Sequence, residues 1–226
     1  MWCIPELDEE FVERMEDLLT LYEKPLDPME PVICLDEKPV QCLDEKRQTI
    51  RVRNGSYRRD YEYIRRGTAN VFCVMEPKAG RHFTRATKNR KKPAFARMLR
   101  RLASAYPHVR TIHLVMDNLS THTKNALTDT FGVSEGEKLW SRFTPHYTPK
   151  HGSWLNQAEI EVSIFSRQCL GQRRIGSFRE LRAEAAAWRA RVDRQRLTID
   201  WKFTVSDARR KFRYSRRRGK IKLPGD

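Results

Sequence analysis

The 226-residue chain has no run approaching the roughly 18 consecutive apolar residues that a membrane-spanning helix needs. Its first residues, MWCIPELDEEF, lack the basic region and apolar core of a secretory signal. It has no internal repeat and no CxxC pair, which argues against a zinc ribbon or finger. The five cysteines, Cys3, Cys34, Cys42, Cys73 and Cys169, are scattered and odd in number, as suits a reducing compartment rather than a disulfide framework. Cys34 and Cys73 sit in apolar runs and read as small core residues. A soluble, intracellular protein is expected.

Hydrophobic content is low at 39%, though sufficient for one substantial core, and charged content is high at 33%. The net charge of +16 is unevenly distributed. Residues 1–30 carry ten acids and two bases, net −8, whereas residues 167–226 carry nineteen bases and six acids, net +13. An arginine-rich excess of this size points to a polyanion, because Lys and Arg gain free energy by displacing phosphate counterions.

Apolar periodicity supplies the elements. Leu7, Phe11, Met15, Leu18, Leu19 and Tyr22 recur at helical steps, and Pro25, Pro28 and Pro31 end that helix. Residues 32–35 read as a buried strand ending at Asp36, 46–53 as a weak second strand, and 69–75 as a third. Residues 76–92 read as a turn or hairpin followed by a mobile loop. Pro93 opens a helix, 112–116 is a fourth strand ending at Asp117, and a helix is expected over about 120–131. A short fifth strand is expected at 138–143 and a loop at 146–154. Helices follow at about 156–170, at 178–195 and around 205–212, and the tail after Tyr214 is expected to be disordered. This order predicts an α/β protein: a mixed central β-sheet flanked by helices, with the strands of Asp36 and Asp117 parallel and adjacent. Three parts are expected: an acidic helix and linker (1–30), an α/β domain (31–176) and a basic helical extension with a disordered tail (177–226).

Three acids stand where buried elements reach an edge, and acids so placed are costly unless they bind something positive. Three carboxylates from separate elements suffice to share two Mg²⁺ ions, which can stabilise both the attacking and the leaving oxygen of a phosphodiester. Each acid also has an ordinary explanation. Asp36 and Glu37 alternate along a strand, so only one can point at a given site. Asp117-Asn118 precedes a helix and could serve its start. Glu159 could close a capping box on Asn156, and Glu161, about 200° round the helix, is its rival as a ligand. His122 and His146 could contact phosphate or lie on the surface. The loop Lys150-His151-Gly152-Ser153-Trp154 could present backbone N–H groups and a ring to DNA, or Trp154 could plug the core.

Five segments, ICLDEKPVQCL (33–43), DYEYIRRGTANVF (60–72), LVMDNLSTHT (114–123), HYTPKHGSWLNQAEIE (146–161) and DWKFTVSDARRKF (200–212), together resemble bacterial insertion-sequence transposases of the mariner-like superfamily. That resemblance implies an RNase H-like fold with a DDE triad of Asp36, Asp117 and Glu159, and so selects Glu159 over Glu161. Asn118 and His122 fall on the DNxxTH signature, and Asn156 precedes the third acid as a supporting residue. The resemblance implies two Mg²⁺ ions per site (Mn²⁺ as substitute), cleavage at element ends, strand transfer into double-stranded target DNA at TA dinucleotides, and a homodimer on DNA. Lys150, His151, Trp154, Arg167, Arg173 and Arg174 are the expected DNA contacts. The helix-turn-helix module with which such proteins read their ends has no counterpart in these residues, so end recognition is expected to lie outside this chain. The rival readings are an inactive DNA-binding remnant and a structure-selective nuclease on the same fold.

Overall fold

A computed structural model describes residues 7–47, 50–51, 55, 57–58, 60–217 and 220–223. Helix α1 (Glu9–Glu23) starts where the Asp8 carboxylate accepts the Phe11 N–H. Strand β1 (Val32–Glu45) is followed by a small hairpin of β2 (Ile50–Arg51) and β3 (Tyr57–Arg58), and then by β4 (Tyr63–Glu76), the antiparallel partner of β1. Two short strands, β5 (Arg81–His82) and β6 (Arg85–Thr87), run along the other side of β4. Helix α2 (Lys92–Ala105) leads to β7 (Ile112–Met116). Helices α3 (Lys124–Phe131) and α4 (Val133–Trp140) lead to β8 (Phe143–Tyr147). Helices α5 (Ala158–Phe165), α6 (Phe178–Gln195) and α7 (Val205–Phe212) follow, and β9 (Ser215–Arg217) pairs with β10 (Lys220–Lys222).

The main sheet has the order β5-β4-β1-β7-β8, with β6 also on β4; β1, β7 and β8 are parallel, and β4 is antiparallel to β1. Strand alternation divides the core. Ile33, Leu35, Phe72, Val74, Leu114 and Met116 face α2 and α3. Cys34 and Val115 face α1, α5 and α7, while Val71 and Cys73 face α6 and the turn after α5. Among the described residues no helix is long and apolar enough to cross a membrane.

Several elements depart from the sequence reading. β1 does not end at Asp36, because its ladder to β4 continues through Glu45 after the β7 ladder stops at Cys34. The third strand likewise begins at Tyr63. The expected second strand holds only Ile50–Arg51, and residues 48–49 and 52–54 lie outside the described residues. The stretch read as a mobile loop contains β5 and β6. The helix expected from 120 starts at Lys124, and Gly132, at φ 87°, breaks it from a second helix that occupies the first half of the expected fifth strand. That strand is β8, displaced into the expected loop, and Pro145 is tolerated because β8 is an edge strand. The helix expected to Leu170 gives way to a π-helical turn at Ser166–Leu170.

The tail after Tyr214 is not disordered where described: the β9–β10 hairpin is tied back onto α1. Glu16, buried on α1, accepts from Arg209 at 2.9 Å, Arg216 at 2.9 Å and Tyr214 at 3.1 Å. Burial alone would raise its pKa, but these donors outweigh burial and hold the carboxyl below its ordinary value. A depressed carboxylate pKa adds stability that is full above the unfolded value, 4.5, and is lost as pH falls through the folded one. Glu16→Gln should therefore lower stability by about 2–3 kcal/mol at neutral pH. Urea unfolding followed by circular dichroism should show the gap from the parent chain narrowing below about pH 4.5.

Candidate active site

The end of the parallel β1–β7 pair is where the acids converge. Asp36 lies on β1 two residues beyond the last β7 pairing, on the face that meets α5, and its partner across β4 is Cys73. Its Oδ1 accepts the Glu37 N–H at 2.7 Å. Burial, followed by the charges of Glu159, Glu37 and Asp117, pushes its carboxyl up to about 7. Glu159 sits in the first turn of α5 and is exposed. Among the described residues neither Asp36 nor Glu159 has an ion-pair partner.

Glu37 points to the opposite face, as alternation requires. Its carboxylate meets His122 Nε2 at 2.7 Å, while His122 Nδ1 lies 2.7 Å from Asp117 Oδ1. The ring is buried and stacks on Phe95 of α2, centroids 4.6 Å apart. Burial opposes its protonation, but the two carboxylates prevail and raise its pKa to about 9. His122 therefore donates from both ring nitrogens to two acids. Asp117 Oδ1 also accepts the Leu119 N–H at 3.2 Å, and the His122 bond is the chief cause of its lowered pKa. Asp117 is thus fixed through one oxygen, with the other left for a ligand.

Donor atoms of Glu37, Asp117 and His122 lie within 4.8 Å of one another, close enough to hold an ion. In the arrangement seen, His122 bridges the two carboxylates and so clamps Asp117 against Glu37. The open set is Asp36, Asp117 and Glu159, whose carboxylate oxygens suit hard cations such as Mg²⁺ or Mn²⁺. The lack of a neutralising side chain at Asp36 fits that use.

Asn156 does not close a capping box with Glu159. Its Nδ2 donates to the Leu35 carbonyl at 2.8 Å and its Oδ1 accepts the Ala158 N–H at 3.1 Å. It thereby ties the start of α5 to β1 next to Asp36. Glu161 is fully buried, accepting from Thr84 Oγ1 at 2.7 Å and facing His82 Nδ1 at 3.0 Å. It is a core residue and is not available as a ligand. The roles of Glu37 and Glu161 escaped the sequence reading because both depend on partners more than 70 residues away.

The proposed DNA contacts separate into groups. A groove of about 840 Å³ runs from Asp117 and Asn118 past Lys150 and His151 to Phe11 and Arg14 of α1. His151 is held at φ 62°, unusual for a side chain with a Cβ. Trp154 instead packs against Phe203 and Phe212. Arg167 is exposed, Arg173 pairs with Glu184 at 2.9 Å, and Arg174 donates to the carbonyls of Asp60, Tyr61 and Glu62. His146 instead lies 2.9 Å from His113 and 2.6 Å from Asp17 of α1.

Residues 31–182 match the model of the DDE superfamily endonuclease family. No curated protein matches the chain. Among solved structures, the Mos1 transposase paired-end complex with left transposon end is similar at TM-score 0.56 and 17% identity, over 94% of this chain and 63% of that one. The Mos1 mariner paired end complex with Mn and the Mos1 strand transfer complex each match at TM-score 0.56 and 18% identity, over 87% of this chain and 60% of theirs. The RNase H-like mixed sheet is shared with these proteins, of whose length this chain spans about three-fifths.

The two α5 acids should respond oppositely to substitution. Glu161→Ala should lower unfolding free energy by about 3 kcal/mol by stranding His82 and Thr84. Glu159→Gln should change it by less than about 0.5 kcal/mol. Chemical denaturation of both variants measures the contrast, and equal losses would place Glu159 in the core as well.

Proposed function

The chain belongs to the DDE superfamily endonucleases, and from that premise we propose that it is the catalytic domain of a mariner-like transposase, cutting DNA at transposon ends and joining them to target DNA. The observation that carries this reading is the convergence of Asp36, Asp117 and Glu159 from three elements, close enough for the charges of Asp117 and Glu159 to raise the Asp36 pKa. These three residues would hold two divalent cations, Mg²⁺ or Mn²⁺. Such ions lower the pKa of a bound water and stabilise charge on attacking and leaving oxygens.

The chain's own residues prepare the site. The Glu37–His122 pair fixes Asp117 in one rotamer, and Asn156 fixes the distance between α5 and β1. Asn118, Lys150 and His151 border the groove beside Asp117 and would contact the DNA strand approaching the acids. Hydrolysis at an element end would leave a 3′-OH, which attacks a target phosphodiester in the same site and expels a new 3′-OH. Insertion at TA and a dimer that holds two ends belong to the same reading.

The test is cleavage and joining of duplex oligonucleotides carrying the element's ends, with Mg²⁺ or Mn²⁺, by this chain joined to the module that reads those ends. Asp117→Asn should reduce both to background while duplex binding persists. Equal silence of the parent chain would leave a DNA-binding remnant, and cleavage without joining would favour a nuclease. His122→Ala should raise the metal concentration for half-maximal cleavage about 10–100-fold, because it loosens a ligand without removing one. An unchanged metal requirement would remove His122 from the positioning of Asp117.

A further inference from the structure

A second concentration of charge lies outside the carboxylate site. Two adjoining cavities, of about 650 and 480 Å³, share Arg85, Ala86, Arg101 and Arg182 and form one groove between α2 and α6 with β6 as its floor. One wall is the Arg97 and Arg101 face of α2, a helix without a single acid. The other is the face of α6 that carries Arg179, Arg182 and Arg189, with the small exposed Ala183 and Ala186 between them. The three acids of α6 are engaged elsewhere: Glu180 accepts the Gly176 N–H, Glu184 pairs with Arg173, and Asp193 accepts the His82 N–H.

Among the described residues none of these groove arginines has a carboxylate partner. Partial desolvation, and then the like charges of Arg101, Arg182 and Arg189, lower the pKa of Arg85. Uncompensated cations crowded in this way favour a bound polyanion. The groove also leads to the acids. Lys88 and Asn89 line it at the start of the β6–α2 loop, and Phe95 of the helix that follows stacks on His122, which lies 2.7 Å from Asp117.

We propose that this groove is a second nucleic-acid site, which takes the sugar-phosphate backbone of double-stranded DNA beyond the cleavage position, independently of sequence. The proposal rests on the reading of the carboxylate site as one that acts on DNA. Arg179 to Arg189 spans about 15 Å of helix, the axial length of four to five base pairs at roughly 3.4 Å each. Guanidinium forks suit phosphate oxygens, and the alanines let the backbone approach α6 closely. Such contacts position a duplex and carry no base readout.

The test is the salt dependence of duplex binding, measured by fluorescence anisotropy in EDTA so that no cleavage intervenes. The groove variant is Arg101→Gln/Arg182→Gln/Arg189→Gln. A control of equal net charge is Lys138→Gln/Arg194→Gln/Lys222→Gln, and Arg→Lys at the three groove positions tests rescue. The groove variant should lose about 2–3 in the slope of log K against log salt, at about 0.9 per phosphate contact, and at least ~10-fold in affinity near 0.1 M salt. The control and the lysine variant should stay near the parent. Equal losses in groove variant and control would reduce the effect to net charge and overturn the proposal, as would an unchanged slope in the groove variant. A parent chain that binds no duplex would overturn this proposal and the DNA reading together, whereas cleavage activity with an unchanged slope would overturn the groove alone. Polyglutamate displacing duplex at equal charge concentration would assign the groove to acidic protein instead.

Discussion

Burial of an acid beside other carboxylates at the open end of the β1–β7 pair is the constraint around which this site is arranged. Asp36 is partly desolvated and feels Glu159, Glu37 and Asp117, with no cationic side chain among the described residues bound to it. Left alone, such a group takes up a proton; held beside two other acids, it favours a divalent cation. The surroundings serve to keep the acids in place. Glu37 and His122 hold Asp117 from one side of the sheet, and Asn156 anchors α5 from the other.

The same strand therefore carries two acids with opposite duties. Asp36 faces α5 and remains open, whereas Glu37 faces α2 and is tied to an imidazolium. Helix α5 repeats the division, with Glu159 exposed at the site and Glu161 sealed against His82 and Thr84. In each pair the side chain that loses solvent gains hydrogen-bonding partners, and the one without partners keeps access to a ligand. Positive charge is divided as well. Arg174 and Arg209 hold the fold together, and the α2–α6 arginines have no carboxylate partner among the described residues.

Much of this was legible in the sequence, for reasons that can be named. The apolar run 112–116 is buried on both faces and could only be a central strand, so Asp117 was placed correctly. The helices α1, α2, α6 and α7 announced themselves through apolar periodicity, helped at α1 and α2 by prolines. The extent of β1 was not legible, because polar residues 36–45 are strand only through their ladder with β4. Nor was β8, whose Pro145 reads as loop until its edge position is known. The tail looked disordered since Glu16, which fastens Arg216, lies 200 residues earlier. At the site, alternation showed that Asp36 and Glu37 must diverge, but not which way; the choice between Glu159 and Glu161 came from family resemblance, and the burial of Glu161 was not legible in either.

The direct measurement is Mn²⁺ binding, followed by electron paramagnetic resonance, in the parent chain and in Asp36→Asn, Glu159→Gln and Glu37→Gln. The account predicts that Asp36→Asn and Glu159→Gln each weaken binding at least ~10-fold, and that Glu37→Gln leaves a weakened but occupied site. Binding indifferent to Asp36→Asn and abolished by Glu37→Gln would contradict it, placing the ion in the Glu37–His122–Asp117 cluster instead.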